Sequence, residues 1–151
     1  QKGVKIKLII RGICSLIPQL EGWSENIEAI SIVDRFLEHA RIFIFHNQGE
    51  KEVYMSSADW MVRNLSYRIE ATFPIYDKKL KEEVLEFIDI QWNDNMKARI
   101  LDKDQANKYV KLGDDISMRS QVETYYYIKR KIEQESMLNA PDVSPDTTKV
   151  G

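Results

Sequence analysis

Four short runs rich in β-branched and aromatic residues precede any helical periodicity in this chain: Val4 to Ile10, Ala29 to Val33, Arg41 to Phe45 and Val53 to Met55. Runs of this length, bounded by turn-forming residues, read as strands. The first ends at Arg11-Gly12, and Pro18 and Gly22 mark the loop that follows. The third and fourth flank the polar stretch His46-Asn47-Gln48-Gly49-Glu50-Lys51, as the two arms of a hairpin do. Tyr67, Ile69, Ala71, Phe73 and Ile75 alternate with Arg68, Glu70 and Thr72, which predicts a further strand with Arg68 on the face opposite the apolar set.

Helical spacing enters only after these runs. Pro74 and Asp77 announce a helix in which Leu80, Val84, Phe87, Ile88 and Gln91 share one face, expected to pack on the sheet. Lys97 to Leu101 reads as another short strand. After the polar Gly113-Asp114-Asp115, a second helix is expected from about Ser117 to Glu133, with Tyr126, Lys129 and Arg130 on one side. From Gln134 the composition turns to Ser, Pro, Asp, Thr and Gly, so residues 134–151 are expected to form a disordered tail. The expected architecture is a single α/β domain over residues 1–133, with a mixed sheet flanked by helices.

Charge and cysteine content narrow the function classes. With 22 Lys+Arg against 24 Asp+Glu, the net charge of −2 argues against a strongly basic nucleic-acid binder, while leaving room for a local cationic pocket. A chain of 151 residues buries roughly two-thirds of its surface without needing disulfides or a structural metal. Cys14, the single cysteine, suits a reducing compartment and is expected to be a buried, inert thiol; a cytoplasmic location is the default reading. No apolar run approaches the ~20 residues that cross a bilayer, and Lys2, Lys5 and Lys7 interrupt any signal-like start. One Cys and two His do not supply a zinc site, and no P-loop or Gly-x-Gly-x-x-Gly is present.

The residues suited to chemistry concentrate around the hairpin. His39 and Arg41 fall two apart, so a strand there puts an imidazole beside a guanidinium, a pairing that suits phosphate. The bland alternative is a half-buried strand with its polar residues in solvent. Ser56-Ser57-Ala58-Asp59 closes the second arm, with Trp60, Arg63, Asn64 and Arg68 close behind; hydroxyls, strand-end amides and arginines hold phosphoryl oxygens, although Ser57 and Asp59 serve equally as turn caps. Arg11 completes the set at the carboxyl end of the first strand, where α/β sheets bind ligands, and Gly12 permits close backbone approach. The charged run Lys129-Arg130-Lys131 reads first as a solvated helix face, with contact to a polyanion as the other reading.

Arg11-Gly12-Ile13-Cys14-Ser15-Leu16, Ser31 to His39 through Val33-Asp34-Arg35-Phe36, and Ser56-Ser57-Ala58-Asp59-Trp60-Met61 with Arg63-Asn64 together resemble the second C-terminal catalytic domain of type 1 polyphosphate kinase, from about Val4 to Arg130. The resemblance implies a phospholipase-D-like fold. It also implies reversible transfer of the terminal phosphoryl group of ATP to inorganic polyphosphate, through a phosphohistidine in an upstream domain. By the same resemblance His39 lines the active site, Arg11 contacts ATP phosphates, and Arg41 and Arg68 are further phosphate ligands. Mg²⁺ ligands are expected mainly upstream, an isolated domain is expected to be inactive, and the full-length enzyme to be a homo-oligomer.

The wider phospholipase-D pattern, His-x-Lys-x-x-x-x-Asp followed by Gly-Ser-x-Asn, is altered here. His39 keeps its place, but Arg41 replaces the lysine, His46 the aspartate and Ser56-Ser57-Ala58-Asp59 the second motif, which counts against phosphodiesterase activity. The alternative to an enzyme domain is a non-catalytic module that binds polyphosphate or nucleotide.

Overall fold

β1 (Ile6–Ile9) runs parallel to β2 (Ile27–Ile32), and β6 (Ala98–Leu101) lies antiparallel along the other side of β2. The computed structural model describes residues 2–111 and 116–138. In this first sheet Ile9 faces Ile30 and Ile32 faces Ala98, and Ile30, Ile32 and Ala98 are buried together against Ile9, Trp92 and Val110. The β-branched residues at alternate positions are what this half-buried surface selects. The parallel pairing has one consequence for function: the carboxyl ends of β1 and β2 lie at the same edge, so the segment carrying Arg11 and the segment leading to His39 start side by side.

A second sheet is built from β3 (Ile42–Phe45), β4 (Glu52–Ser56) and β5 (Thr72–Pro74), all antiparallel. The hairpin expected around His46 to Lys51 is present, with Ile42 opposite Met55 and Phe45 opposite Glu52, closed by a tight turn at Asn47–Gly49. Gly49, at φ 102°, takes the left-handed backbone that other residues avoid. The single mixed sheet of the sequence expectation is thus two three-stranded sheets.

The expected strand from Tyr67 to Ile75 is corrected. Val62–Tyr67 forms a short helix, α1, and only Thr72–Pro74 pairs as strand. The reason is local: residues 62–67 are helical, so the chain reaches β4 only at Ala71, whose carbonyl accepts the Ser57 N–H at 3.0 Å, beside the Glu70 contacts with Ser57 and Asn64. Ile69, counted in the apolar set, is fully exposed, so the alternation has no buried face behind it. Arg68 lies one residue past α1 with extended backbone, outside any strand.

α2 (Lys78–Trp92) starts where Asp77 accepts the backbone N–H of Leu80 at 2.9 Å, a standard N-cap. Of the expected apolar face, Gln91 is buried and Val84, Phe87 and Ile88 are half-buried, whereas Leu80 is exposed. The face meets the first sheet chiefly at its Trp92 end and runs alongside α3 (Ser120–Leu138) for the rest. α3 starts three residues later than expected and extends to Leu138, so residues 134–138, assigned to the disordered tail, are helical. Residues 139–151 and the Gly113-Asp114-Asp115 stretch lie outside the described residues.

Asp94 joins α2, β6 and α3. Its carboxylate is fully buried and accepts the backbone N–H groups of Met96, Lys97 and Ala98 on Oδ1 and of Ser120 on Oδ2. Asp34, just past β2, forms a two-bond ion pair with Arg119, which ties the carboxyl edge of the first sheet to the start of α3. Cys14 is half-buried and its thiol meets the Leu16 carbonyl at 3.3 Å, less enclosed than expected. Among the described residues no helix is long and apolar enough to cross a membrane.

Candidate functional site

Arg11, His39 and Arg41 meet at the carboxyl edge of the first sheet, two residues beyond β1 and immediately before β3. His39 is not in a strand, because β3 begins at Ile42, yet the expected neighbourhood with Arg41 is present: Nη1 of Arg41 lies 3.3 Å from Nδ1 of His39 and donates to the His39 carbonyl at the same distance. Arg11 reaches across from β1 and donates Nη1 to the Glu38 carbonyl at 2.9 Å. Three expected residues thus share one cluster.

The group that gathers them is Asp59. Its Oδ1 accepts from Nη2 of Arg11 at 2.7 Å and from Nε of Arg41 at 2.9 Å, and its Oδ2 accepts from Nη2 of Arg41 at 3.1 Å. The hydrogen bonds from Arg41, joined by those from Arg11, hold the Asp59 carboxyl well below the usual carboxylate range against an opposing effect of burial. Asp59 is therefore an ion-pair partner here and not the turn cap its sequence position suggested.

A second carboxylate sits behind the first. Glu70 accepts from the Ser57 hydroxyl and from Nδ2 of Asn64, and these bonds, with the attraction of Arg68 and Arg41, lower its pKa. Arg68 is exposed and reaches Glu70 only through space, and Arg63 is exposed as well. Ser57 and Asn64, read as phosphate donors, are spent on Glu70. His46 lies at the far end of β3 from His39, about 13 Å of strand away, so the two histidines do not form one site.

Both depressed carboxylates stabilise the fold above their ordinary pKa near ~4, and that contribution is lost as pH falls toward their lower native values. Urea unfolding of the chain between about pH 6 and about pH 2 is expected to show an acid limb that Asp59→Asn makes shallower, because the variant has no proton to take up there.

Sequence reasoning missed how the His39 loop is anchored. Glu38 accepts from Nε2 of Gln91 on α2 and from Nε2 of Gln121 on α3, both at 2.7 Å, so the residue before His39 is tied to both helices. A glutamine on an otherwise apolar helix face was the available signal. Of the charged run on α3, Lys131 pairs with Glu83 and Lys129 lies 3.9 Å from Glu133, consistent with a solvated face.

Beside the cation cluster, Phe43 stacks on Trp60 with ring centroids 5.7 Å apart and Phe45 meets Tyr54 edge-on. With Leu65 they line an open apolar cleft of about 360 Å³. Among the described residues no three His, Cys, Asp or Glu side chains gather as metal ligands, and the oxygens of Asp59 and Glu70 already have partners. This donor set does not fit a divalent cation.

The family model described as polyphosphate kinase C-terminal domain 2 matches residues 1–121. The polyphosphate kinase of Salmonella typhimurium is 56% identical over 127 residues, covering 84% of this chain and 18% of the relative. That of Vibrio parahaemolyticus is 51% identical over 142 residues, covering 94% and 20%. The crystal structure of polyphosphate kinase from Porphyromonas gingivalis superposes with a TM-score of 0.84 at 45% identity, covering 87% of this chain and 20% of that one. The chain spans about a fifth of the length of these relatives, and it belongs to the polyphosphate kinase C-terminal domain 2 family.

Proposed function

We propose that this chain supplies half of the phosphoryl-transfer site of a polyphosphate kinase, an enzyme moving the terminal phosphoryl group of ATP reversibly onto inorganic polyphosphate. The observation that carries this reading is the convergence of Arg11, His39 and Arg41 around one carboxylate, within a chain 56% identical to a named polyphosphate kinase. Phosphoryl transfer asks a protein mainly for positioning and for cations around the developing charge. Arg11 and Arg41 offer fixed guanidinium forks, and exposed Arg68 extends the positive surface.

In this reading the phosphoryl group is carried by a histidine of an upstream domain, and the fold is phospholipase-D-like, with His39 at the histidine of that pattern. His39 donates to a phosphoryl or leaving oxygen as general acid or hydrogen-bond donor. The ligands of Mg²⁺ are expected mainly outside this chain. ATP and polyphosphate enter at the edge of the first sheet where Arg11 lies, in a cytoplasmic, homo-oligomeric enzyme.

Complementation tests the proposal. The upstream four-fifths of a relative, inactive by itself, is expected to regain transfer from ATP to polyphosphate when this chain is added, and to regain nothing with the His39→Ala chain. If the His39→Ala chain restores wild-type turnover at saturating ATP and only affinity falls, the domain is a binding module and the catalytic reading fails.

A further inference from the structure

Asp59 is an anion placed where a phosphate is to bind, and simple charge arithmetic counts it as a defect. The hydrogen bonds say otherwise. A guanidinium has five N–H donors and no acceptor. Arg41 spends Nε and Nη2 on Asp59, which leaves Nη1 directed at Nδ1 and the carbonyl of His39. Because Nη1 can only donate, Nδ1 holds a lone pair and the ring proton of neutral His39 sits on Nε2. Arg11, from the end of a different strand, is held by Asp59 on one side and the Glu38 carbonyl on the other. Without a carboxylate between them, two like charges brought this close repel and swing apart into solvent.

We propose that Asp59 is a positioning residue for phosphoryl transfer: it presets Arg11 and Arg41 as a fixed pair of cations and, through Arg41, keeps Nδ1 of His39 an acceptor so that Nε2 carries the proton offered to a phosphoryl oxygen. This rests on the reading of the site as half of a polyphosphate kinase centre. Asp59 itself forms and breaks no covalent bond and touches no substrate. It also accounts for the altered second motif, in which an acidic residue stands at the place of the asparagine of the phospholipase-D pattern: a site with arginine at 41 in place of lysine presents a fork that a carboxylate can grip with two parallel bonds.

Two opposite expectations make this testable. By charge alone, Asp59→Asn removes a negative group and tightens binding of a polyanion; by preorganisation it loosens both forks and weakens it. In a polyphosphate kinase of the relatives' length carrying this domain, Mg²⁺-free tripolyphosphate affinity and ATP turnover are measured for Asp59→Asn, Asp59→Glu, Arg41→Ala and the Arg41→Ala/Asp59→Asn pair. Asp59→Asn is expected to weaken tripolyphosphate about 10-fold and lower kcat about 30-fold, with Glu recovering part of both. In the Arg41→Ala background the kcat loss shrinks at least about threefold, because the two residues act as one unit. Glu83→Gln, which breaks the Lys131 pair between α2 and α3, leaves affinity and kcat unchanged.

Equal or tighter tripolyphosphate binding by Asp59→Asn, or a kcat loss fully additive with Arg41→Ala, overturns the proposal. If the parent enzyme transfers no phosphoryl group to polyphosphate while Asp59→Asn still weakens tripolyphosphate, the kinase reading falls and the positioning of an anion site by Asp59 stands. A parent that binds no tripolyphosphate overturns both.

Discussion

Replacing His39 by alanine in a polyphosphate kinase carrying this domain is expected to lower kcat about 10²- to 10³-fold, the ordinary contribution of one preorganised hydrogen-bond donor to a reacting oxygen. The KM for ATP is expected to move by less than about 10-fold, since Arg11, Arg41 and Arg68 remain to hold the phosphates. His39 is exposed and holds no part of the core, so the unfolding temperature stays that of the parent and the loss is one of chemistry. His39→Gln separates the two possible roles of the ring. Its amide donates a hydrogen bond but passes no proton, so a recovery of 10-fold or more over alanine assigns hydrogen bonding, and none assigns proton transfer. Steady-state synthesis of polyphosphate from ATP reads both variants, and an alanine variant within threefold of wild type removes His39 from the mechanism.

The largest effect on stability is expected at Asp94. The alanine variant leaves four backbone N–H groups, those of Met96, Lys97, Ala98 and Ser120, without their acceptor in a fully buried position. Unpaired buried donors of this kind cost about 1–3 kcal/mol each in isolation and share the loss when the turn relaxes, so a total of about 3 to 5 kcal/mol is expected. In a chain of this size that corresponds to a fall of about 10 °C in the unfolding temperature, measurable by calorimetry. Burial opposes ionisation of Asp94, but the N–H groups of Lys97, Ala98 and Ser120 outweigh it and its pKa is lowered. Its contribution is accordingly complete above the ordinary carboxylate pKa near ~4 and fades as pH falls below it. An alanine variant within about 1 kcal/mol of wild type shows that the loop re-pairs its amides elsewhere.

Elements whose pattern is local were legible in the sequence. β1, β2 and the β3–β4 hairpin are short β-branched runs between turn-formers, α2 opens at the capping Asp77, and β6 is the run around Ile100. His39 and Arg41 are two residues apart, so their contact survives even though the strand expected to create it begins only at Ile42. What was not legible depends on distant pairing. Asp59 meets Arg11 across 48 residues, and Glu38 meets Gln121 across 83, separations at which a single sequence carries no periodic signal. The strand expected from Tyr67 failed because alternation reports a buried face only where the sheet supplies one, and there the chain is helical up to Tyr67 and Ile69 is exposed. Gln91 was counted among apolar neighbours by its spacing, while its amide is what fastens the His39 loop to α2.

The cation cluster also has an order of assembly built into it. Arg41 and Asp59 are 18 residues apart and bracket a single hairpin, so closing that hairpin brings them together by itself. Arg11 and Asp59 are 48 apart, and closing the longer loop costs about 0.9 kcal/mol more in chain entropy, besides needing the parallel pairing of β1 with β2. Loop entropy alone therefore predicts that the Arg41–Asp59 grip closes before Arg11 joins it. The hairpin alone thus holds a neutral arginine–aspartate pair, and the cluster reaches a net positive charge only once Arg11 joins it.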